Sequence, residues 1–212
     1  MNEQERLNPF LSVWLHPKKT ARYVMDQKGI PYTLFIIAIG YIGSLCAGLS
    51  DTELYPMMPL WLILLLLVIL SPILGIISNA LYSLIVWLIG KLFKGTGTYQ
   101  DIFKSMSLVA IPYIVVIPFY LIWMFVEPES LFYGDIFGDF AVLPIITLIV
   151  TFVVTIWCFV ISIAIVAEAH KISNWKAFFT LFIPTIILII VLVVIFLLIA
   201  LLILAIGTVF AV

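Results

Sequence analysis

Four side chains in the polar parts of this chain are of types that could together ligate a metal ion. They are His16, Asp101, Glu168 and His170. Glu168 and His170 are two positions apart, so on a helix they would point to different faces. The chain contains neither the His-Glu-x-x-His spacing of a zinc protease nor the Gly-x-Ser-x-Gly of a serine hydrolase. We therefore expect no enzyme activity, no catalytic residue and no cofactor; a metal cluster of these four side chains is the alternative to solvated charges.

The elements that position these residues are predicted to be membrane spans. Of the 212 residues, 65% are hydrophobic and 10% are charged, which leaves no room for a soluble catalytic domain. The first 30 residues are polar, and we expect no cleaved signal peptide. Cys46 and Cys158 fall in different apolar runs at different depths, so both thiols are predicted to be unpaired.

The apolar runs predict an all-α, polytopic bundle of five spans. The spans cover about residues 31–49, 60–92, 105–126, 141–167 and 183–207, within one membrane domain of residues 31–212 that follows an amphipathic segment of residues 1–30. The second run could be one span or a hairpin divided at Pro72. Leu60–Ser71 is shorter than the roughly 17 residues that a span needs, so we predict one helix kinked at Pro72. Ser71 beside it can satisfy the freed carbonyl.

The distribution of charge agrees with five spans. All ten lysines and arginines fall in the N-terminal segment, the link after the second span and the link after the fourth. The charged residues of the other two links are Asp51, Glu53, Glu127, Glu129, Asp135 and Asp139. By the positive-inside rule, the N-terminus is predicted to be cytoplasmic and the C-terminus outside. A division at Pro72 would put Lys91, Lys94 and Lys104 outside.

Small or polar residues recur every four positions along three spans. The series are Gly40, Ser44 and Gly48; Ser71, Gly75, Asn79 and Ser83; and Thr147, Thr151 and Thr155. Such series predict close helix packing and interhelical hydrogen bonds, and a solute path lined by Asn79 is the alternative. The predicted hydrocarbon region contains no ionisable group of the kind that coupled transporters use, which counts against that class.

The polar links carry helix-end signals. Gly95 is predicted to cap the second long helix, and Thr98 with Asp101 to open the next one. Pro112 and Pro118 predict a bent third span. The N-terminal segment, with aromatic and basic residues interleaved, either lies on the inner membrane surface or is only the basic flank of the first span.

Three segments resemble the bacterial branch of the Yip1 family. They are Asn8–Val24, with an Asn-Pro-Phe opening and a basic segment; Gly90–Tyr113, with a glycine turn before a helix; and Val166–Pro184, with an Ala-Glu-x-His stretch. The resemblance implies five spans with a cytoplasmic N-terminus. Eukaryotic members bind prenylated Rab GTPases, act in vesicle traffic and have a longer cytoplasmic N-terminal region, and that function is not carried over to this chain.

The resemblance also implies a membrane adaptor with no reaction of its own. We expect an accessory subunit of a membrane transport or envelope-defence complex in a bacterial cell membrane, in contact with lipids and with another integral membrane protein or a second copy, and not with nucleic acid. The candidate contact residues on the cytoplasmic side are Lys91, Lys94, Asp101, Lys104, Glu168 and His170. The alternative is a small uncoupled transporter or channel for an apolar or lipid-like solute.

Overall fold

The computed structural model describes residues 7–137 and 141–210, and in these ranges every regular element is helical. The helices are α1 (Pro9–Ser12), α2 (Pro17–Gln27), α3 (Ile30–Ala47), α4 (Leu60–Leu92), α5 (Tyr99–Met106), α6 (Ile117–Val126), α7 (Pro128–Tyr133), α8 (Val142–His170) and α9 (Asn174–Phe210). Five stretches of these ranges are long and apolar enough to cross a membrane, which confirms the predicted five-span, all-α fold. Arg6 and Asp139, which entered the charge argument, lie outside the described residues.

Helix α4 is one continuous helix of 33 residues through Pro72, as predicted. A proline cannot donate to the carbonyl four residues earlier, which here belongs to Val68. The hydroxyl of Ser71 donates to that carbonyl at 3.3 Å, so the freed acceptor keeps a partner inside the membrane. The helix is about 50 Å long, which exceeds the roughly 30 Å of hydrocarbon, so in a bilayer it must tilt or extend into the polar region.

The third span differs from the bent α-helix that was expected. It begins at Tyr99 and passes from α5 through two 3-10 segments, Ser107–Ala110 and Pro112–Val116, before α6 completes it. Gly40 and Gly43 of α3 lie against this segment so closely that a Cβ at either position would overlap the main-chain carbonyl of Ala110 or Tyr113. The 3-10 stretch is thus held by backbone contact with α3.

The described lysines and arginines all lie toward one end of the bundle, which we call the basic end. It consists of α1 and α2, the link between α4 and α5, and the turn between α8 and α9. The opposite, acidic end has its own core, in which Tyr120, Trp123 and Phe132 are buried. There α7 turns back, and its Leu131 and Phe132 carbonyls accept from the amides of Asp51 and Glu53 at 3.2 and 2.9 Å. The acidic end of the bundle is therefore closed by the short helix α7.

The N-terminal segment is docked on the bundle and does not simply flank α3. Ala21 and Val24 of α2 are fully buried in the core at the basic end. By contrast, α9 packs only by its first turns, where Ala177 and Leu181 are buried, while the described side chains from Ile186 to Leu201 are exposed. In a bilayer that surface is available to lipid.

Labelling of engineered cysteines checks the orientation. With the two buried native thiols replaced by alanine, we expect Glu129→Cys to react with a membrane-impermeant thiol reagent on intact cells. Lys94→Cys should react only after the membrane is permeabilised, because basic links are retained inside. The reverse pattern would contradict the predicted topology.

Candidate functional site

A polar cleft opens at the basic end where three separate parts of the chain meet. Its volume is about 350 Å³, and its lining comes from α2, the α4–α5 link and the end of α8. The residues that line this basic-end cleft are Arg22, Met25, Asp26, Thr96, Gly97, Asp101, Glu168, Ala169 and Lys171. Three carboxylates and two cations therefore face one pocket at the surface of a membrane protein.

The cleft is bordered by the link that follows α4 and by the end of α8, and these two helices end in the same way. Both α4 and α8 end in a Schellman motif. The Gly95 amide donates a hydrogen bond to the Gly90 carbonyl at 2.9 Å, and the Ile172 amide donates one to the Ala167 carbonyl at 3.0 Å. The left-handed position of this motif usually holds glycine, yet here it holds Lys94 (φ 63°) and Lys171 (φ 55°). The predicted cap at Gly95 thus lies one residue after the left-handed position. A lysine there also places a positive charge at the negative end of each helix dipole.

Gly95 is needed for a different reason, which is the side chain of His170. The His170 ring is fully buried, with Gly90 on one side and Gly95 on the other. A Cβ at Gly90 would overlap Nε2 of the ring, and one at Gly95 would overlap Nδ1 and come within 2.8 Å of Cγ. Within the described chain neither ring nitrogen makes a hydrogen bond of good geometry, although the Val86 backbone interacts with the imidazole, so close packing contributes most to holding the ring.

Main-chain contacts extend this packing into the α4–α5 link. The amide of Thr96 donates to the His170 carbonyl at 2.9 Å, and the indole of Trp87 donates to the Gly97 carbonyl at 3.2 Å. Gly97 lies so close to the Ala169 carbonyl that a Cβ would overlap it. We call this arrangement of His170 with Gly90, Gly95, Thr96 and Gly97 the histidine junction. It fixes one wall of the basic-end cleft to the end of α8.

Two cationic side chains fix the opposite wall, which is α2. Arg22 donates from Nε and Nη2 to one oxygen of Glu168 at 2.8 and 2.6 Å. Lys104, only 8% exposed, donates its ammonium group to the Met25 carbonyl in the last turn of α2. That carbonyl has no partner within the helix, so the lysine caps the C-terminus of α2.

The structure separates the residues predicted as contacts into three groups. Lys91 and Lys94 are exposed, while Asp101 and Glu168 line the cleft. Asp101 also closes the predicted capping box: its amide donates to the Thr98 hydroxyl, and its carboxylate accepts from the Thr98 amide. Lys104 and His170 are buried behind the lining of the cleft, so neither side chain is accessible to a partner.

Sequence reasoning missed Arg22, Gly90 and Gly97 as parts of the site. Arg22 was counted only as one of many basic residues, and its partner Glu168 is 146 positions away. No local pattern could have paired them. Among the described residues, no group of three or more His, Cys, Asp or Glu side chains could hold a metal ion, so the proposed cluster of His16, Asp101, Glu168 and His170 does not assemble.

The polar series inside the membrane are arranged mainly for packing. Ser71, Gly75 and Ser83 are buried, and a Cβ at Gly75 would come within 2.8–2.9 Å of Ile37 and Tyr41 on α3. Asn79 donates its amide to the Phe103 carbonyl at 3.1 Å. On α3, Gly40 is packed against the third span, whereas Gly48 ends the helix with little contact around it.

Two grooves run along α3 and α4 beside these packed positions, and the third span also lines the smaller one. They have volumes of about 230 and 390 Å³ and share Tyr41 and Ser44 in their linings. Asn79 lines the smaller groove, where the Tyr41 and Ser78 hydroxyls are hydrogen-bonded at 2.9 Å. Most of the remaining lining is apolar, which suits a hydrocarbon chain better than a hydrated ion.

One comparison with known proteins gave a match. A family model described as the Yip1 domain matches residues 11–196. That range contains all of Gly90–Tyr113 and Val166–Pro184, and Asn8–Val24 from residue 11 onward. No curated protein and no solved structure matches the chain.

A double-mutant cycle tests the histidine junction. Gly90→Ala should destabilise the protein by about 1–3 kcal/mol because the new methyl group meets the His170 ring. In a His170→Ala background the same substitution should be neutral or stabilising, because the ring is gone and alanine favours a helix over glycine by about 1 kcal/mol. Unfolding in mixed detergent micelles measures both values. Gly48→Ala is the matched control, and equal costs in the two backgrounds would contradict the junction.

The left-handed lysines generate a prediction of the opposite sign. Lys171→Gly should stabilise the protein by about 0.5–1 kcal/mol, because glycine adopts positive φ without the steric cost that lysine pays there. Lys176→Gly, inside the first turns of α9, is the control and should destabilise by about 1 kcal/mol. Thermal melting in detergent compares the two variants; a lower melting temperature for Lys171→Gly would refute the strain argument.

Proposed function

The chain belongs to the Yip1 family of multi-pass membrane proteins, and we propose that it is a non-enzymatic adaptor that holds a partner at the basic-end cleft. The partner is a component of a membrane transport or envelope-defence complex, and the basic end faces the cytoplasm of a bacterial cell. The observation that carries this proposal is that contacts within the chain itself hold both walls of the cleft. The histidine junction holds one wall, and Lys104 with the Arg22–Glu168 pair holds the other.

A fixed cleft supports docking because a partner then orders few additional groups on binding. The rim offers exposed charge of both signs, because the side chains of Asp26 and Lys171 are both exposed to solvent. Mixed charge of this kind favours specific orientation of a protein segment over attraction of one simple ion. An adaptor needs this property, since its function is to select a partner.

The membrane surroundings of the cleft favour a membrane-bound partner. The cleft is lined by residues in the final turn of α8, a membrane span, and the exposed aliphatic face of α9 begins nearby in the chain. A protein that binds both features must itself lie in or on the bilayer. We therefore propose another integral membrane protein, or a second copy of this chain, as the partner.

Blocking the cleft tests the adaptor proposal. Thr96 is exposed at the cleft, and its hydrogen bond to His170 uses the main chain, so Thr96→Arg should fill the cleft without opening the junction. Gln100→Arg adds the same charge to the same region at an exposed position that does not line the cleft. After purification in a mild detergent, a stoichiometric membrane partner should accompany the wild type and Gln100→Arg, and be reduced at least tenfold for Thr96→Arg.

The other outcomes are also informative. If Thr96→Arg retains the partner, the cleft is not the contact. If the wild type is purified without any partner across several mild detergents, the adaptor proposal fails. Charge reversal at Lys104 is not a suitable test, because its ammonium group holds α2 in place.

The two grooves between α3 and α4 favour a second candidate function, which is uncoupled passage or binding of a lipid-like solute. Ser44 lines both grooves, so Ser44→Phe should obstruct both at once. Leu84→Phe, on an exposed face of α4 outside either groove, is the matched control. Asn79→Leu is less discriminating, because it also removes the hydrogen bond to Phe103.

Reconstituted liposomes measure this second candidate. If the protein moves a fluorescent lipid between leaflets, Ser44→Phe should slow that movement severalfold while Leu84→Phe leaves it unchanged. No movement above that in protein-free liposomes would remove the transport candidate.

A further inference from the structure

A second crevice at the basic end lies between the α1–α2 corner and α8. It has a volume of about 400 Å³ and is lined by Leu15, His16, Pro17, Lys18, Lys19 and Ala164. We propose that this basic crevice binds the phosphate group of an anionic phospholipid whose acyl chain lies along α8. This site is separate from the basic-end cleft, and its function does not depend on the adaptor proposal.

The charge of the crevice fits a phosphate. Lys18 and His16 contribute basic groups to the lining, and none of the described residues that line it is acidic. Lys19 also lines the crevice and already takes part in an interaction within the chain. The nearest carboxylate along α8 is that of Glu168, one turn beyond Ala164, and it accepts both bonds from Arg22. His16 stands at the N-cap of α2 without using its side chain as a cap, which leaves the imidazole for another partner.

The position of Ala164 places the crevice at the edge of the bilayer. Ala164 precedes the last residue of α8 by six positions, which is about 9 Å along the helix axis. Phe152, Ile156 and Val160 precede it at steps of four residues, so they share one face of α8. Their side chains are 66%, 49% and 45% exposed. A lipid chain against this face would end with its headgroup in the crevice.

The α1–α2 corner itself has the character of a membrane anchor. Leu11 and Leu15 are 72% and 77% exposed, although they belong to a polar segment. Large apolar side chains beside lysines are typical of segments that insert into the headgroup region of an anionic membrane. Leu15 also lines the crevice, so the apolar and the basic surfaces are continuous. This continuity favours a phospholipid over a soluble phosphate.

Lipid retention measured by native mass spectrometry tests the proposal on the full chain. Phosphatidylglycerol and phosphatidylcholine with identical acyl chains are the two probes. The wild type should retain phosphatidylglycerol preferentially, and Lys18→Gln combined with Lys19→Gln should reduce its affinity about tenfold or more, since each basic residue near an anionic surface contributes about a fivefold effect. Lys91→Gln combined with Lys94→Gln removes the same charge from exposed positions elsewhere at the basic end and should change the affinity less than twofold.

A third variant separates the crevice from charge alone. Ala164→Trp fills the crevice and keeps both lysines, so it should also lose the preference for phosphatidylglycerol; its melting temperature reports whether it folds. Equal losses in the two lysine double variants, or full retention by a folded Ala164→Trp, would overturn the proposal in favour of diffuse attraction. Equal retention of both lipids by the wild type would overturn it directly. Displacement of phosphatidylglycerol by millimolar inorganic phosphate would identify a soluble anion as the ligand and would also overturn it.

Discussion

The packing of one buried imidazole between two glycines is the contact on which the basic end depends. His170 ends α8, Gly90 lies in the last turns of α4, and Gly95 follows the αL residue that terminates α4. Because the ring occupies the space that a Cβ would need at either glycine, the ends of two membrane spans and the link between α4 and α5 are brought into direct contact. The Thr96 amide then pairs with the His170 carbonyl and fixes the link.

Several unusual local features of this arrangement are unfavourable for the free energy of folding. A buried imidazole whose nitrogens lack hydrogen bonds of good geometry is unfavourable by itself. Two lysines also adopt left-handed backbone conformations at the adjoining helix ends. Strained or unsatisfied groups persist where the surrounding structure determines them strongly and where function uses them. Their position around the basic-end cleft agrees with the proposal that this cleft is the working surface of the protein.

The spans were predictable from the sequence because they follow from bulk physical constraints. Length, hydropathy and charge placement gave five spans, and the pairing of Ser71 with the carbonyl freed by Pro72 was anticipated from the two neighbouring residues. The site was less predictable because it depends on contacts between distant residues. Gly95 was interpreted as a cap from local pattern alone, whereas its distance from His170 along the chain hides the packing that requires glycine. Likewise, Lys104 was expected at the surface because lysines usually are, and its tertiary role as the cap of α2 has no local signal.

Hydrogen exchange of the intact protein in lipid nanodiscs tests the central claim most directly, which is that the basic end is assembled before a partner binds. The Thr96 amide belongs to an exposed residue, and its bond to the His170 carbonyl is what protects it. The account predicts that this amide and those of α2 exchange slowly, at rates close to those in the last turns of α8. Exchange of Thr96 and α2 at the rates of an unstructured peptide, with the spans still protected, would contradict it.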